Sequence, residues 1–366
     1  MSPKITATPS KGTVPLKVEF SAEKSKQGLS KIAQYQWDFN SDGVIDAEGI
    51  TAANTYEKVG DYKAKLILTD EKGKTASKTA TINVTSRTIT VMITSPVQNE
   101  NIGKSDVLVT GTVSNPDGNK TKITVNNSPA LLHDGHFIAN KVPIAEGENT
   151  ISVNVTDDDG STGTASVTVQ GKAQKMVSIS CDDITGISPM EATFSVSVSG
   201  NYTPTVTCDK KPENGDYEWL SIPTDYKVRL TGEGVYTFSA KVTDSLNNEY
   251  SDSISIAVQN SQAIDSTLRS EWGNMKNGLA SGDMEKALKD FTPSSTKEYE
   301  PIFTDLKDQL PAIASRMADI EPVYIKGSTA KYRIRRDQVI DGQIQTVTYY
   351  IYFVMDPYGN WWIDSF

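Results

Sequence analysis

One motif occurs three times in the sequence at a constant interval, and it limits the fold more than any other feature. Each copy begins at a glycine and ends ten residues later at an aspartate, with apolar residues alternating between them. The glycines are Gly60, Gly147 and Gly234, each 87 residues from the next. The aspartates are Asp70, Asp157 and Asp244. Because self-similarity at a fixed period marks a repeated structural unit, we predict three successive domains up to about residue 260.

Each unit has the pattern of short β-strands. In the first unit Leu66 and Leu68 alternate with more exposed positions, the turn 71–73 follows the repeated aspartate, and a second strand pattern follows over 80–84. Alternation at period two predicts half-buried strands, and the turn residues between them predict hairpins. Short strands with regular turns, in units of this size, are typical of immunoglobulin-like β-sandwiches.

The last hundred residues break the repeat. Apolar residues recur at helical spacing over 268–289 and 297–318, and Asp283 is expected to cap a separate second helix. From Glu321 the spacing changes to period two. Helices followed by an antiparallel sheet predict an α+β domain.

We therefore predict a multidomain protein of three all-β immunoglobulin-like sandwiches and one α+β domain with helices on a curved antiparallel sheet. The predicted domains are residues 1–86, 87–173, 174–261 and 262–366. Because the predicted linkers are short, we expect the domains to follow one another as a semi-rigid rod.

Charge and motif content exclude several classes of function. The 366 residues include 36 Lys and Arg against 46 Asp and Glu, for a formal net charge of −10, so nucleic acid is not an expected partner. No apolar run approaches the ~20 residues of a membrane span, so we predict no transmembrane segment in this chain. The sequence lacks G-x-S-x-G, H-E-x-x-H, phosphate-loop and G-x-G-x-x-G patterns, and we predict that the chain is not an enzyme.

A loop in the first unit has the ligand spacing of a calcium site. Its oxygen donors at positions 1, 3, 5, 7 and 9 come from Asp38, Asn40, Asp42, the Val44 carbonyl and Asp46. An EF-hand is excluded because position 12 is Gly49. We predict a structural Ca²⁺ ion in this loop. The alternative is that the same side chains only close turns through hydrogen bonds to the backbone.

The two cysteines, Cys181 and Cys208, are separated by 26 residues within the third unit. They have neither CxxC spacing nor a nearby histidine, which excludes metal and thioredoxin-type sites. We predict a disulfide, which would fit an exported protein; two buried free thiols are the alternative. We also expect any export signal or anchor to lie outside this sequence, since Met1 leads directly into a strand pattern.

The only two histidines, His133 and His136, flank the two-residue turn Asp134-Gly135. A zinc site needs three or four protein ligands, and only two are present here. Serine–histidine or cysteine–histidine catalysis would need distant partners that nothing in the sequence indicates.

The predicted C-terminal sheet carries a basic and aromatic face. Lys331, Arg333 and Arg335 alternate along one strand, and Tyr350 and Tyr352 alternate along the next. We predict a ligand or partner surface there; if this face lines the concavity of the curved sheet, it would suit an acidic or hydroxylated ligand. The alternative is an exposed sheet face with ordinary cross-strand packing.

The first unit resembles a polycystic-kidney-disease (PKD) domain in its segments 35–39, Tyr56 and 60–62. The third unit is similar but degraded: Trp219 and Tyr236 persist, while the Asp-Phe-Asn run does not. The middle unit, in 109–113 and 146–149, resembles bacterial immunoglobulin-like modules of secreted hydrolases and surface proteins. These resemblances imply extracellular spacing or binding.

The C-terminal segments 282–288 and 359–364 resemble nuclear-transport-factor-two-like (NTF2-like) or cystatin-like cone domains. That fold has both ligand-binding and enzymatic members, so the resemblance alone does not assign a function.

Three functions remain open at this point. We expect a non-enzymatic exported protein whose sandwiches form a stalk presenting the C-terminal module, for adhesion or for binding a protein or polysaccharide at the cell surface. Its location would be extracellular, at the cell surface or periplasmic. The alternatives are a ligand pocket in the cone domain, and a carbohydrate-binding accessory region of a secreted hydrolase. An exposed aromatic platform would favour the accessory region, whereas Trp37 and Trp219 occupy core-like positions.

Overall fold

The computed structural model describes residues 1–116, 118–172, 176–211, 214–221, 226–340 and 342–366. The expected domain boundary between residues 173 and 174 lies outside them. The chain divides into two compact units, which are described separately. The first comprises Met1–Thr90, Ser114–Thr121 and Asn154–Thr164. The second comprises Val91–Val113, Lys122–Val153 and Ala165–Phe366.

The first sandwich packs two sheets around an aromatic core. Its strands are β1 (Thr6–Thr8), β2 (Lys11–Thr13), β3 (Leu16–Ser21), β4 (Ile32–Asp38), β5 (Ala47–Glu48), β6 (Thr51–Tyr56), β7 (Gly60–Asp70) and β8 (Thr75–Thr85). The sheet orders are β1-β3-β6 and β2-β8-β7-β4-β5. Trp37 is fully buried against Phe20, 5.5 Å between ring centroids, which confirms its core position.

The second sandwich is one continuous sheet of eight strands. They are β9 (Thr90–Ser95), β10 (Glu100–Ile102), β11 (Asp106–Ser114), β12 (Thr121–Val125), β13 (Ser128–His133), β14 (His136–Pro143), β15 (Gly147–Asp157) and β16 (Thr162–Gly171). Their order is β10-β16-β15-β12-β13-β14-β11-β9. Strand β13 pairs with β12 on one side and β14 on the other, and so joins the two layers.

The third sandwich has two four-stranded sheets. Its strands are β17 (Val177–Cys181), β18 (Thr185–Ile187), β19 (Met190–Val198), β20 (Thr205–Cys208), β21 (Tyr217–Ser221), β22 (Tyr226–Leu230), β23 (Gly234–Thr243) and β24 (Glu249–Gln259). The orders are β17-β19-β22-β21 and β18-β24-β23-β20. Phe194, Tyr217 and Phe238 fill the core, and Trp219 packs against them half-buried.

The C-terminal region places four helices on one face of an antiparallel sheet, as expected. The helices are α1 (Ser261–Ser281), α2 (Met284–Leu288), α3 (Pro293–Asp305) and α4 (Leu310–Ala314). The strands are β25 (Glu321–Lys326), β26 (Thr329–Ile340), β27 (Gln343–Met355) and β28 (Trp361–Ser365), paired in chain order. Gly282, at φ +73°, ends α1, and the Asp283 side chain accepts from the Lys286 amide at the start of α2, which confirms the predicted cap.

The repeated aspartate has the same structural role in each copy. One carboxylate oxygen accepts hydrogen bonds from the amides two and four residues ahead and closes the hairpin turn after β7, β15 and β23. Asp356, between β27 and β28, repeats this geometry in the C-terminal domain. The 87-residue period therefore records one turn chemistry in one hairpin of each sandwich.

Three parts of the second compact unit are tied together by polar contacts. Asp252 on β24 accepts from both Lys104 and Lys141 of the second sandwich. The Leu132 amide on β13 donates to the Tyr358 carbonyl of the β27–β28 turn at 2.9 Å. The C-terminal domain thus contacts the second sandwich within this compact unit. Among the described residues, no helix has the length and hydropathy needed to span a bilayer.

Candidate functional site

The outer face of the C-terminal sheet carries the predicted basic and aromatic residues. Tyr332 and Phe353 point to the other face and pack into the helical core. Side chains one position away therefore face outward. Lys331 and Tyr352 are register partners, as are Arg333 and Tyr350. The structure thus places these four residues on one exposed surface.

A row of three residues crosses this face. Tyr324 on β25 pairs with Lys331 on β26, which pairs with Tyr352 on β27. The Lys331 ammonium lies 3.7 Å from the ring centroid of Tyr350 and 5.2 Å from that of Tyr352. Tyr324 and Tyr350 are 44% exposed and Tyr352 is 36% exposed. We call Tyr324, Lys331, Tyr350 and Tyr352 the tyrosine face.

Electrostatic contacts order the tyrosine face. A hydrogen bond with Tyr352, together with the surrounding tyrosines, raises the pKa of Lys331. Beside it, the Arg333 Nε lies 3.1 Å from a carboxylate oxygen of Glu321. Arg335 is exposed further along β26, where the hairpin extends past both neighbouring strands. Flat, exposed aromatic rings with a fixed cation suit contact with a rigid polymer surface.

The helix-facing side of the same sheet is filled with packed side chains. Tyr332, Ile351 and Phe353 lie in a cluster with Trp272 and Leu268 of α1. The Tyr332 hydroxyl donates to the Asp265 carboxylate at 2.6 Å. The predicted surface therefore lies on the outer face and does not line the concavity under the helices.

A second candidate is a cleft between the second and third sandwiches, within the second compact unit. Its volume is about 660 Å³. The lining groups that can bind a ligand are two imidazoles, three carboxylates and one ammonium. They belong to His133, Asp134 and His136 on one wall and Asp209, Lys210 and Glu233 on the other. This volume lies within the range of small-ligand pockets.

The turn of the β13–β14 hairpin forms the first wall. His133 and His136 are register partners, joined by Asp134 and Gly135. Both turn residues have positive φ, +46° and +72°, as a two-residue type I′ turn requires. His136 Nδ1 lies 2.9 Å from the Asp134 carbonyl oxygen, which orients its ring. The sequence predicted this turn, but it did not indicate that the turn faces the third sandwich across a cleft.

The second wall consists of Asp209 and Lys210, directly after β20, and of Glu233, directly before β23. The Asp209 carboxylate accepts from the Thr237 amide at 2.9 Å. The Lys210 ammonium lies 4.0 Å from the Tyr236 ring centroid and donates to the Glu233 carbonyl at 3.4 Å. Gly234, at φ +124°, lets this ammonium approach, because a Cβ there would lie 2.9 Å from it. No sequence signal marked Asp209, Lys210 or Glu233 as functional.

The cleft carries an excess of negative charge near neutral pH. Asp134, Asp209 and Glu233 are exposed, against the single cation Lys210. Burial lowers the pKa of His133, and the nearby Glu233 and Asp134 only partly oppose this effect. The imidazole of His133 is therefore mostly neutral at pH 7, with one ring nitrogen as a donor and the other as an acceptor.

The predicted calcium ligands lie together in one loop, and four of their side-chain oxygens accept hydrogen bonds from backbone amides. Asp46 Oδ2 accepts from the Phe39 amide at 2.6 Å, and Asp42 Oδ1 accepts from the Val44 amide at 2.7 Å. This bond to Val44 lowers the pKa of Asp42. Asn40 Oδ1 accepts from the Asp42 amide.

One atom of this loop fits an ion better than a turn. Asp38 is 1% exposed, and its Oδ1 atom has no hydrogen-bond partner, while Oδ2 accepts from the Gly43 amide at 3.1 Å. Within the described ranges, no group of three His, Cys, Asp or Glu side chains converges on one point. Calcium in this loop stays a prediction.

The predicted disulfide between Cys181 and Cys208 is not formed, and both residues are free thiols in the structure. Cys181 lies on β17 and Cys208 on β20, which belong to opposite sheets. Phe194 is the register partner of Cys181, and Phe238 is that of Cys208. The two phenyl rings lie between the sheets with their centroids 4.4 Å apart. Each thiol donates instead within its own segment, to the Asp183 carbonyl and the Asp209 carboxylate.

Comparisons with protein families match two stretches of the chain. The PKD domain model matches residues 1–86, and the model for glucodextranase, domain B matches residues 89–173. The NTF2-like resemblance of the C-terminal domain stays a prediction.

Curated relatives include two collagenases. Collagenase ColA of Clostridium perfringens (strain 13 / Type A) is 29% identical over 45% of this chain. Collagenase ColQ1 of Bacillus cereus (strain Q1) is 35% identical over 22% of this chain. The chain spans only 18% and 8% of the length of these two relatives.

Similar solved structures are distant. The Clostridium thermocellum CbhA fibronectin(III)-like modules are 20% identical, with a TM-score of 0.22, over 46% of this chain and 95% of theirs. The ICAM-5 D1–D4 ectodomain fragment is 12% identical, with a TM-score of 0.27, over 70% of this chain and 76% of its own. The two family matches cover adjacent stretches of the chain: a PKD domain, followed by an immunoglobulin-like region that matches glucodextranase, domain B.

Proposed function

We propose that this chain is a non-catalytic accessory region of a secreted hydrolase and holds a polymeric substrate near the catalytic part. The observation that carries this proposal is the tandem of a PKD domain and a glucodextranase domain B, in a chain that aligns with only a small part of two collagenases. Both named curated relatives are collagenases, and the second family model is a domain of a glucodextranase. This favours the accessory-region hypothesis over a stalk for adhesion.

The tyrosine face supports this proposal as the polymer-binding surface. Exposed aromatic platforms bind polymers because the rings stack on the rings of sugars or proline and lose little side-chain flexibility on binding. Tyr324, Tyr350 and Tyr352 form such a platform on a rigid sheet, with Lys331 fixed among them. An exposed aromatic platform is the feature expected of an accessory region and not of a stalk.

The arrangement of the cleft supports binding and offers little for catalysis. Its threonine hydroxyls are engaged with other hydroxyls: Thr237 with Ser255 at 2.9 Å, and Thr94 with Thr110 at 3.2 Å. A nucleophilic hydroxyl would instead be bonded to its base. We therefore include the cleft in the proposal as a binding site.

Retention on insoluble polymers tests the proposal. The full chain is mixed with fibrillar collagen or with insoluble glucan, and the depletion of protein from the supernatant is measured, together with any soluble product. We expect saturable retention on at least one polymer and no product. Lack of retention on both polymers, or release of product, would overturn the proposal.

A matched pair of variants assigns the surface. Tyr352→Ala removes a ring from the tyrosine face, and we expect about 2- to 10-fold weaker retention, from the ~0.5–1.5 kcal/mol of one aromatic contact. Tyr349→Ala is the control, since Tyr349 is also exposed, 46% against 36% for Tyr352, but lies on the other face of β27. Equal effects of the two variants would contradict the assignment of the tyrosine face.

A further inference from the structure

We infer that the cleft between the second and third sandwiches binds a cationic side chain, arginine or lysine, of an extended protein segment. This inference names the substrate class, a protein with exposed arginine or lysine side chains. It rests on the proposed function in one respect, namely that the bound segment belongs to the substrate of the hydrolase. The site differs from the tyrosine face in position and chemistry.

The charge of the cleft selects a cation. Three carboxylates, those of Asp134, Asp209 and Glu233, are exposed at the two walls, with Lys210 as the cation. The ammonium of Lys210 is directed at the Tyr236 ring and the Glu233 carbonyl. An incoming guanidinium can therefore bind carboxylate oxygens from both walls, and such charge-assisted, often bidentate bonds are the strongest available at a partly open site.

The lining disfavours a neutral sugar. Sugars commonly stack a ring face on an exposed tyrosine, tryptophan or phenylalanine, and the phenyl ring among the described lining residues, that of Phe137, is fully buried. The remaining lining combines charged groups, imidazoles and threonine hydroxyls with the aliphatic side chains of Ile138 and Val235 and two glycines. A volume of about 660 Å³ also exceeds one side chain, so a segment of several residues can enter.

The walls are held in place before binding. Asn140 on β14 and Ser255 on β24 exchange two hydrogen bonds of 2.9 Å between the second and third sandwiches. Leu108, Leu131 and Ile138 pack with Ala257 into a shared apolar cluster. Because the two walls are already fixed, little conformational entropy is lost when a ligand spans them.

The imidazole of His133 makes this binding depend on pH. His133 faces Glu233 and Asp134, which favour its protonation, and His136 and Lys210, which oppose it. Burial keeps the pKa of His133 below the usual 6.5, so the imidazole is neutral at pH 8 and gains a proton only as the pH falls below that value. The added positive charge repels a cationic ligand. We therefore expect affinity to be highest near pH 8 and to fall as the pH drops below 6.5.

Peptide titration of the full chain tests the inference. The probe is acetyl-Gly-Arg-Gly-Arg-Gly-amide, and the control probe carries citrulline, the neutral isostere, in place of both arginines. We expect at least about tenfold tighter binding of the arginine peptide at pH 8 by calorimetry. Equal affinities for the two peptides would overturn the inference.

Variants locate the binding. Glu233→Gln should weaken the arginine peptide about 2- to 5-fold, the range for one partly exposed charge pair. Glu249→Gln is the control, because Glu249 is an exposed carboxylate at the other end of the β23–β24 hairpin, roughly 30 Å from Gly234 along the strand. No difference between these variants would also overturn the inference.

The outcomes separate this inference from the proposed function. Binding of maltoheptaose in the cleft, lost in Glu233→Gln, with no binding of the arginine peptide would overturn the cationic ligand while leaving the accessory role intact. Arginine-peptide binding by a chain that is retained on neither polymer would support the cleft and overturn the accessory role.

Discussion

Removing the charge of Asp252 should destabilise the second compact unit by about 2–4 kcal/mol. Asp252 is 1% exposed and accepts from the ammonium groups of Lys104 and Lys141 and from the Ile179 amide at 3.0 Å. Burial raises the pKa of this carboxyl, but the lysine hydrogen bonds outweigh that effect and lower the pKa to about 2. Relative to an ordinary value of 3.8, this pKa alone corresponds to about 2 kcal/mol of stability.

The variant Asp252→Asn keeps the size of the side chain and removes its charge. It leaves two ammonium groups facing a neutral amide, and their side chains are only 12% and 29% exposed. Breaking a buried pair by removing one partner costs about 3–5 kcal/mol, and the partial exposure of Lys141 reduces this. Lys141 also has an unfavourable left-handed backbone conformation, at φ +56°, at a bulge between β11 and β14. The variant removes the ion pair with Asp252 that helps to hold this conformation.

Urea unfolding at pH 7, followed by fluorescence and far-UV circular dichroism, measures the effect. Glu249→Gln on the same strand is the control and should change stability by less than about 0.5 kcal/mol, because its ion pair is exposed. The depressed folded-state pKa gives stability that is full above about pH 4 and is lost as the pH falls through about 2. The difference between wild type and variant should therefore be constant from pH 5 to 8 and shrink below pH 4. A difference under 0.5 kcal/mol at pH 7 would refute the reasoning.

Three further predictions concern other parts of the chain. Excess calcium should raise the melting temperature of the wild type but not of Asp38→Asn, because an ion bound only to the folded state stabilises it; an unchanged wild-type value would contradict the calcium site. Denatured, non-reduced protein should show two free thiols, and the folded protein should react slowly, since burial raises the pKa of Cys181 and raises that of Cys208 to about 12. Finding no thiols would restore the predicted disulfide. Asp356→Ala should destabilise the C-terminal domain by about 1–3 kcal/mol in urea unfolding, because the Tyr358 and Asn360 amides lose their acceptor; an unchanged midpoint would show that this turn forms without it.

Much of the fold was predictable because it depends on local chemistry. The repeated aspartates marked hairpin turns that their carboxylates close, and Asp283 marked a helix start that its side chain caps. The alternation of residue types along the two strands also predicted that Lys331 and Tyr352 share one sheet face, because strand geometry fixes side-chain direction. These features depend only on residues a few positions away in the sequence or in the adjacent strand.

Contacts between domains could not be read from the sequence. Asp252 is one of 46 acidic residues, and nothing in its neighbourhood indicates that two lysines more than a hundred positions earlier surround it. The cleft is likewise made by a turn at His133 and a strand end at Asp209, which only packing brings together. The disulfide prediction was wrong for a similar reason: sequence separation says nothing about the phenyl rings that occupy the space between the sheets.

Hydroxyl-radical footprinting of the full chain, free and bound to fibrillar collagen, tests the central claim most directly. Tyrosine and histidine side chains react with the radical in proportion to their exposure, so both proposed surfaces report in one experiment. We predict strong protection of Tyr324, Tyr350 and Tyr352, and of His136 in the cleft, with Tyr349 unchanged on the opposite sheet face. Protection confined to Tyr349 or to the first sandwich, with these residues as reactive as in the free chain, would contradict the account.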